Sequence, residues 1–255
     1  MIISIIPARG NSKRIPRKNL RDWPIKPDGW DEDNPNKVFM SMPLIFHTIT
    51  ASILSGVVDL TIVSTEDDEI AERSRAYGYL LTGEENRTKF MVMKRPDHLS
   101  QDTVQTAEVV NDVYRRLSMT TIQEIRNDLV VVLQPTSPKR TAKHVLKAVQ
   151  QFQQAIKSDI YLGSMFSAYR MSLPSHFLWK ISADGTTNPM AHNPLERAGT
   201  QVLGNPIAWV ENGAIYITTS HNLSQYGNYR AGRSIIYEMS KADSLDIDWP
   251  SDLSK

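Results

Sequence analysis

Met1–Asn19 reads MIISIIPARGNSKRIPRKN, and its change of character half-way along decides the fold. Ile2-Ile3-Ser4-Ile5-Ile6 is an apolar, β-branched run of the kind that forms a strand buried on both faces. Pro7 closes the run, because it has no N–H to give a ladder. The next twelve residues hold Gly10, the small polar Asn11 and Ser12, and five cations: Arg9, Lys13, Arg14, Arg17 and Lys18. A buried strand that opens into a loop of donors and fixed positive charge suits a phosphate chain. Small residues let the backbone approach phosphate oxygens, and Arg and Lys neutralise charge spread over many acceptors. The loop is not a Walker loop, since no Gly-Lys-Ser/Thr follows, and with one glycine it is not a dinucleotide fingerprint. A basic run alone also suits a solvated surface or a nucleic-acid patch.

Outward from the loop, residues 22–42 (DWPIKPDGWDEDNPNKVFMSM) carry three prolines and no clear period, and read as an irregular loop insertion. Trp23, Trp30 and Phe39 need something to pack against, which leaves open a surface loop, a lid or a subunit contact. Pro43 suits the first position of a helix with Leu44, Ile45, Ile49 and Ile53 on one face. Leu60–Ser64 is a second buried strand, and Thr65 is the expected cap of an acid-led helix through Ala76. Thr103 is expected to cap a helix from Val104 to about Leu117. Leu129–Leu133 is the most apolar strand, followed by Gln134-Pro135-Thr136-Ser137 and a helix from Thr141 to about Ile156. Asp159–Met165 reads as another strand, and Asp184-Gly185 as a hairpin turn. Glu211-Asn212-Gly213 reads as a turn leading into the strand Ala214–Ile217. In Asp246-Ile247-Asp248, period two puts two carboxylates on one face. Two such charges repel unless a cation lies between them, and a hard divalent ion is the natural third party. An isolated Asp-x-Asp is as readily a solvated turn.

The 255 residues are enough for one domain with a sizeable core. Zero cysteine excludes disulfides, thiolate catalysis and cysteine-ligated zinc, and the six histidines fit no metal spacing. A net charge of +1 argues against a dedicated nucleic-acid binder. Neither an apolar stretch of membrane-spanning length nor a signal-peptide pattern is found, so a cytoplasmic protein is expected.

Four ordered stretches together resemble the acylneuraminate cytidylyltransferases, the CMP-sialic acid synthetases. They are IIPARGNSKRIPRKNL, LQPTSP at 133–138, ENGAIYI at 211–217, and YE at 237–238 with SLDID at 244–248. Weaker matches are STED at 64–67 and RPDHLSQDT at 95–103. The resemblance implies an αβα three-layer, Rossmann-like fold with a mostly parallel sheet, in a single nucleotidyltransferase domain over 1–255. It implies transfer of CMP from CTP to the anomeric hydroxyl of a nine-carbon keto-sugar acid, releasing pyrophosphate. By the same resemblance Arg9, Gly10, Asn11, Ser12, Lys13, Asn19, Ser64 and Arg95 would bind the nucleotide. Gln134, Thr136, Ser137, Arg197 and Gln201 would meet the acceptor. Lys18, Asp246 and Asp248 would be catalytic, the two aspartates holding Mg²⁺. Residues 166–206 would be an excursion that builds a homodimer.

The sequence departs from the family pattern at three places. Arg14 stands for the usual glycine, so either its backbone avoids positive φ or it adds a phosphate contact. Thr200-Gln201-Val202-Leu203-Gly204 lacks the family's arginine, with Arg197 the nearest substitute, and the 22–42 insertion replaces a short turn. Another acceptor, GTP as donor, or a non-catalytic nucleotide-binding relative are the alternative readings.

Overall fold

The first strand predicted from sequence lies at the centre of the molecule. β1 (Ile2–Pro7) runs parallel to β4 (Leu60–Thr65) on one side and to β6 (Leu129–Leu133) on the other. β5 (Phe90–Lys94) extends the sheet beyond β4. Beyond β6 come β10 (Trp209–Thr219), β7 (Leu162–Arg170) and β11 (Arg233–Glu238), giving the order β11-β7-β10-β6-β1-β4-β5. Only β10 is antiparallel to its neighbours. The computed structural model describes residues 1–25, 40–120, 128–171, 178–190 and 208–254.

Side-chain alternation along the strands divides the core in two. Ile3, Ile5, Ile62, Val130 and Val132 face α3 (Thr106–Thr120) and α5 (Ser220–Tyr226), through Val110, Val113 and Leu223. Ile6, Val63, Val131 and Leu133 face α1 (Leu44–Ile53), α2 (Asp68–Thr82) and α4 (Ala142–Ser158), through Ile49, Ile70 and Val149. The sheet is thus covered by helices on both faces, which is why its central strands are continuously apolar. This is the αβα, mostly parallel architecture expected from the sequence.

Several local expectations shift. The cap of α2 is Asp67, whose carboxylate accepts the Ile70 N–H at 2.9 Å; Thr65 instead accepts the Asp67 N–H at 3.1 Å. The helix continues to Thr82, past Gly78, because a glycine there lets it lie against the Phe90 ring. α3 begins at Thr106 rather than Val104. Asn212-Gly213 is not a turn but lies inside β10, where the pairing with β7 shifts register between Glu211 and Tyr216. Gly213 takes φ 74° there, which a side chain would resist.

The ends of the 22–42 segment are not irregular: β2 (Asp22–Ile25) pairs antiparallel with β3 (Met40–Pro43). Trp23 is buried beside Ile15, Leu44 and Ile247 in a small apolar plug. Trp30 and Phe39 lie outside the described residues. The expected hairpin is present as β8 (Trp179–Ile181) and β9 (Thr187–Pro189), with Gly185 in its turn at φ 84°.

Candidate active site

The chain order of the sheet creates the site. From β1 the connections run outward through β4 to β5, and then β6 begins on the opposite side of β1. Between the C-terminal ends of two such diverging strands an open α/β sheet leaves a crevice. A cleft of about 450 Å³ lies there. Its walls come from the 8–19 loop after β1, the segment from Arg95 to Thr106, the turn after β6, and Asp248. Because β10 runs the other way, its beginning reaches the same edge.

The loop owes its shape to the start of α2. Gly10 donates its N–H to Glu66 Oε1 at 2.7 Å. A methyl on Gly10 would press into the Asp67 carboxyl, its Cβ lying 2.8 Å from that of Asp67. Arg17 is the one non-glycine residue at positive φ among those described (φ 58°), and its guanidinium is tied to Asp67 and Glu69. The left-handed turn therefore sits at Arg17, so arginine in place of glycine at position 14 meets no such strain. Asn19 is buried and donates to the Arg9 carbonyl at 2.9 Å, closing the loop on itself.

Four loop cations line the cleft: Arg9, Lys13, Arg14 and Lys18. Asp102, from the opposite wall, accepts Arg9 Nη1 at 2.8 Å and Lys13 Nζ at 2.5 Å. The hydrogen bond from Lys13 holds the Asp102 carboxyl below the usual carboxylate range. Asp248 forms the second bridge, to Lys18 Nζ at 3.1 Å and to Arg14 Nη1 at 3.5 Å. Lys18 also donates to the Ile247 carbonyl at 2.7 Å, which anchors its ammonium. Half-exposed ion pairs add little to stability, so their cations can exchange a carboxylate for a phosphate at small cost.

The Asp246–Asp248 segment is held from three directions. The Ile247 side chain is fully buried in the apolar plug, and its N–H donates to the Thr136 carbonyl at 2.8 Å. Asp252 accepts the N–H groups of Asp248 (3.0 Å) and Trp249 (2.8 Å). Asn212 donates to Ser244 Oγ at 2.8 Å, so the shifted register of β10 is what fixes the approach to Asp246. Asp246 Oδ1 is buried and has no hydrogen-bond partner among the described residues. Burial, with the Asp248 charge added, raises the Asp246 carboxyl above the usual range, and the Thr136 hydroxyl and Lys18 offset only part. A carboxylate oxygen with no donor beside a second carboxylate suits a bound cation. Among the described residues no group of three or more acids or histidines forms a metal cluster, so other ligands must complete any such site.

The structure brings together Arg9, Ser12, Lys13, Lys18, Asn19, Arg95, Gln134, Thr136 and Asp248 on the cleft wall. Asp246 and Gln134 both border Gly213: a Cβ there would be 3.8 Å from an oxygen of each. Other candidates do not line the cleft. Ser64 is buried, and its carbonyl accepts Arg95 Nη2 at 2.7 Å; Gly10 is spent on Glu66; Ser137 is buried under the turn; Asn11 is exposed. Arg197 and Gln201 lie outside the described residues.

Sequence reasoning did not assign Asp102, Asn212, Asp252 or Arg140. Arg140 is fully buried, donating to the carbonyls of Gln134 and Ala214 at 2.9 Å each and to Thr48 Oγ1 at 2.5 Å. Burial without a carboxylate partner pushes its pKa down to about 9. It locks the turn after β6 to β10 and α1, and a lysine-arginine pair after a proline gives no signal of that in sequence.

The fold and the cleft define an open α/β protein with a cationic crevice where its strand order reverses. The sequence model of the cytidylyltransferase family matches residues 35–255, and the chain belongs to that family. It is 30% identical to N-acylneuraminate cytidylyltransferase A of Danio rerio, over 98% of this chain and 49% of that protein. It is 28% identical to the CMP-N,N'-diacetyllegionaminic acid synthase of Legionella pneumophila, over 98% of this chain and 92% of that one. The chain thus spans about half the length of the first relative and nearly all of the second. CMP:2-keto-3-deoxy-manno-octonic acid synthetase, solved with CTP, shares the fold: TM-score 0.56, 14% identity, 99% of this chain and 95% of that one.

Proposed function

We propose that the chain transfers CMP from CTP to the anomeric hydroxyl of a sialic-acid-like nine-carbon keto-sugar acid, releasing pyrophosphate. The observation that carries this reading is one cleft in which four loop cations face Asp248, with Asp246, whose buried Oδ1 takes no hydrogen bond among the described residues, behind it. A module that only held a nucleotide has no need of that acidic pair.

Arg9 and Lys13 bind the triphosphate, exchanging Asp102 for phosphate oxygens, and Arg95 on the same cleft wall adds its charge. The apolar side of the cleft, Leu99, Val104 and Val109, receives the base and ribose. Gln134 and Thr136 orient the acceptor so that its hydroxyl oxygen faces the α-phosphorus. That oxygen forms the new P–O bond as the bond to the β-phosphate breaks, and the hydroxyl proton leaves to solvent. Lys18, fixed on the Ile247 carbonyl, stabilises charge at the α-phosphate. The Asp246 and Asp248 carboxylates fit Mg²⁺, which when bound would supply Lewis-acid charge and acidify the attacking hydroxyl. Positioning and charge placement are what a protein contributes to this kind of transfer.

Full-length similarity to the Legionella enzyme favours legionaminic-type acids as a second acceptor class. Pyrophosphate release should be measured from each of the four nucleoside triphosphates, against a panel of nine-carbon and eight-carbon keto-sugar acids. Turnover with CTP and a nine-carbon acid is expected. No release from any pair would overturn the reading, and preference for GTP or for an eight-carbon acid would correct it. We further propose that the chain forms a homodimer through the region around β8 and β9.

A further inference from the structure

Of the four loop cations in the cleft, Arg14 is the one given no role above, yet it has partners of its own. Its guanidinium lies over the Trp249 ring, 4.7 Å from the centroid, and Nη1 pairs with Asp248 Oδ2 at 3.5 Å. The Trp249 N–H is held by Asp252, which fixes the point from which its exposed ring reaches Arg14. Lys18, which shares Asp248, is 16% exposed and also bound to a carbonyl; Arg14 is 55% exposed and has no such anchor. Of the two cations on Asp248, Arg14 is the one free to move. It also lines the cleft.

We propose that Arg14 is a switchable triphosphate-binding residue, which competes with the divalent metal for Asp248 and is handed to the nucleotide when the metal binds. The proposal rests on Asp246 and Asp248 being the metal ligands, as read above. With no nucleotide, the guanidinium holds part of the Asp248 charge. A divalent cation arriving at Asp248 repels it, and Trp249 keeps it at the rim by a cation–π contact while it turns toward the phosphates. A nucleoside monophosphate, with less charge and shorter reach, gains little from it. Metal and triphosphate thereby help one another to bind, and such coupling is reciprocal.

The test has two readouts of opposite sign, neither of them turnover. Arg14→Gly should bind Mn²⁺ alone more tightly than wild type, by about threefold or more in titration calorimetry, because Asp248 has lost a competitor. The same variant should bind CTP in the presence of metal about tenfold more weakly, with CMP affinity within twofold of wild type. Arg14→Lys, which keeps the charge but loses the planar stack, should fall between. Thermal unfolding of each variant checks folding. If Arg14→Gly binds Mn²⁺ and CTP as wild type does, the inference is overturned while the proposed function stands. If wild-type protein with CTP binds no Mn²⁺, the metal assignment itself fails. Weaker binding of both Mn²⁺ and CTP in Arg14→Gly would also overturn the inference, since Arg14 would then be supporting Asp248.

Discussion

At the scale of single residues, Asp248 concentrates the chemistry, because it meets Lys18, Arg14 and the proposed metal within one carboxylate. Asp248→Asn keeps the shape and removes the charge. Its turnover should fall by about a hundred- to a thousand-fold, since a Lewis-acid contribution of several kcal/mol is lost and each ~1.4 kcal/mol is tenfold in rate. CTP affinity should change far less, because Arg9, Lys13 and Arg95 remain. Steady-state kinetics with a direct CTP-binding measurement separates the two effects. Wild-type turnover by both Asp246→Asn and Asp248→Asn in limiting Mg²⁺ would reduce the pair to a solvated turn. The period-two spacing around Ile247 made the pair visible in the sequence, but what makes it usable was not visible. Asn212 reaches Ser244 across 32 residues of sequence, which only folding brings about, and Asp252 closes on Asp248 four residues away. The same holds for Asp102, whose role depends on reaching Arg9 across the cleft, 93 residues away in sequence.

At the scale of elements, the loop after β1 acts as a unit seated on the start of α2. Gly10 is its closest approach to that helix, packed on the residue that both caps α2 and holds Arg17. Gly10→Ala should therefore leave the protein folded but displace the loop. In hydrogen exchange, saturating CTP should protect residues 9–19 of the wild type. In Gly10→Ala the same protection should need at least about tenfold more CTP, since even an ångström of misplacement weakens converging charge contacts. Equal protection of the two proteins at equal CTP would refute this, and no protection in the wild type would remove the loop from the nucleotide site. The central strands were legible where an apolar run is short and uninterrupted, as at Leu129–Leu133, but β7 runs Leu162–Arg170 rather than Asp159–Met165, and β5 and β11 were not read as strands. Helix starts were harder, since Thr65-Glu66-Asp67 offers three polar candidates and only geometry selects Asp67 as the cap. The glycine in β10 was misread for a related reason: Asn-Gly favours a turn locally, but pairing with β7 before and after it carries the strand through and makes the pair a register shift.

At the scale of the whole molecule, the main sheet accounts for the core and for the cleft, but not for β8 and β9. That hairpin pairs with no strand of the seven-stranded sheet. Its strands are three residues each, and a lone two-stranded ribbon of that size is marginal in water without a surface to pack against. Its apolar side chains face outward all the same: Trp179 is 44% exposed, Ile181 75% and Met190, just past the hairpin, 63%. Exposed large apolar groups gathered on one short element are what an interface between copies looks like before the second copy arrives. The chain should therefore be a dimer in light scattering at micromolar protein. Replacing Ile181 and Met190 together by serine should shift it toward monomer without unfolding the main sheet, because neither residue belongs to either core cluster. A wild-type mass that stays monomeric up to high protein concentration would exclude the dimer. A double variant that stays dimeric would move the interface to another face of the molecule.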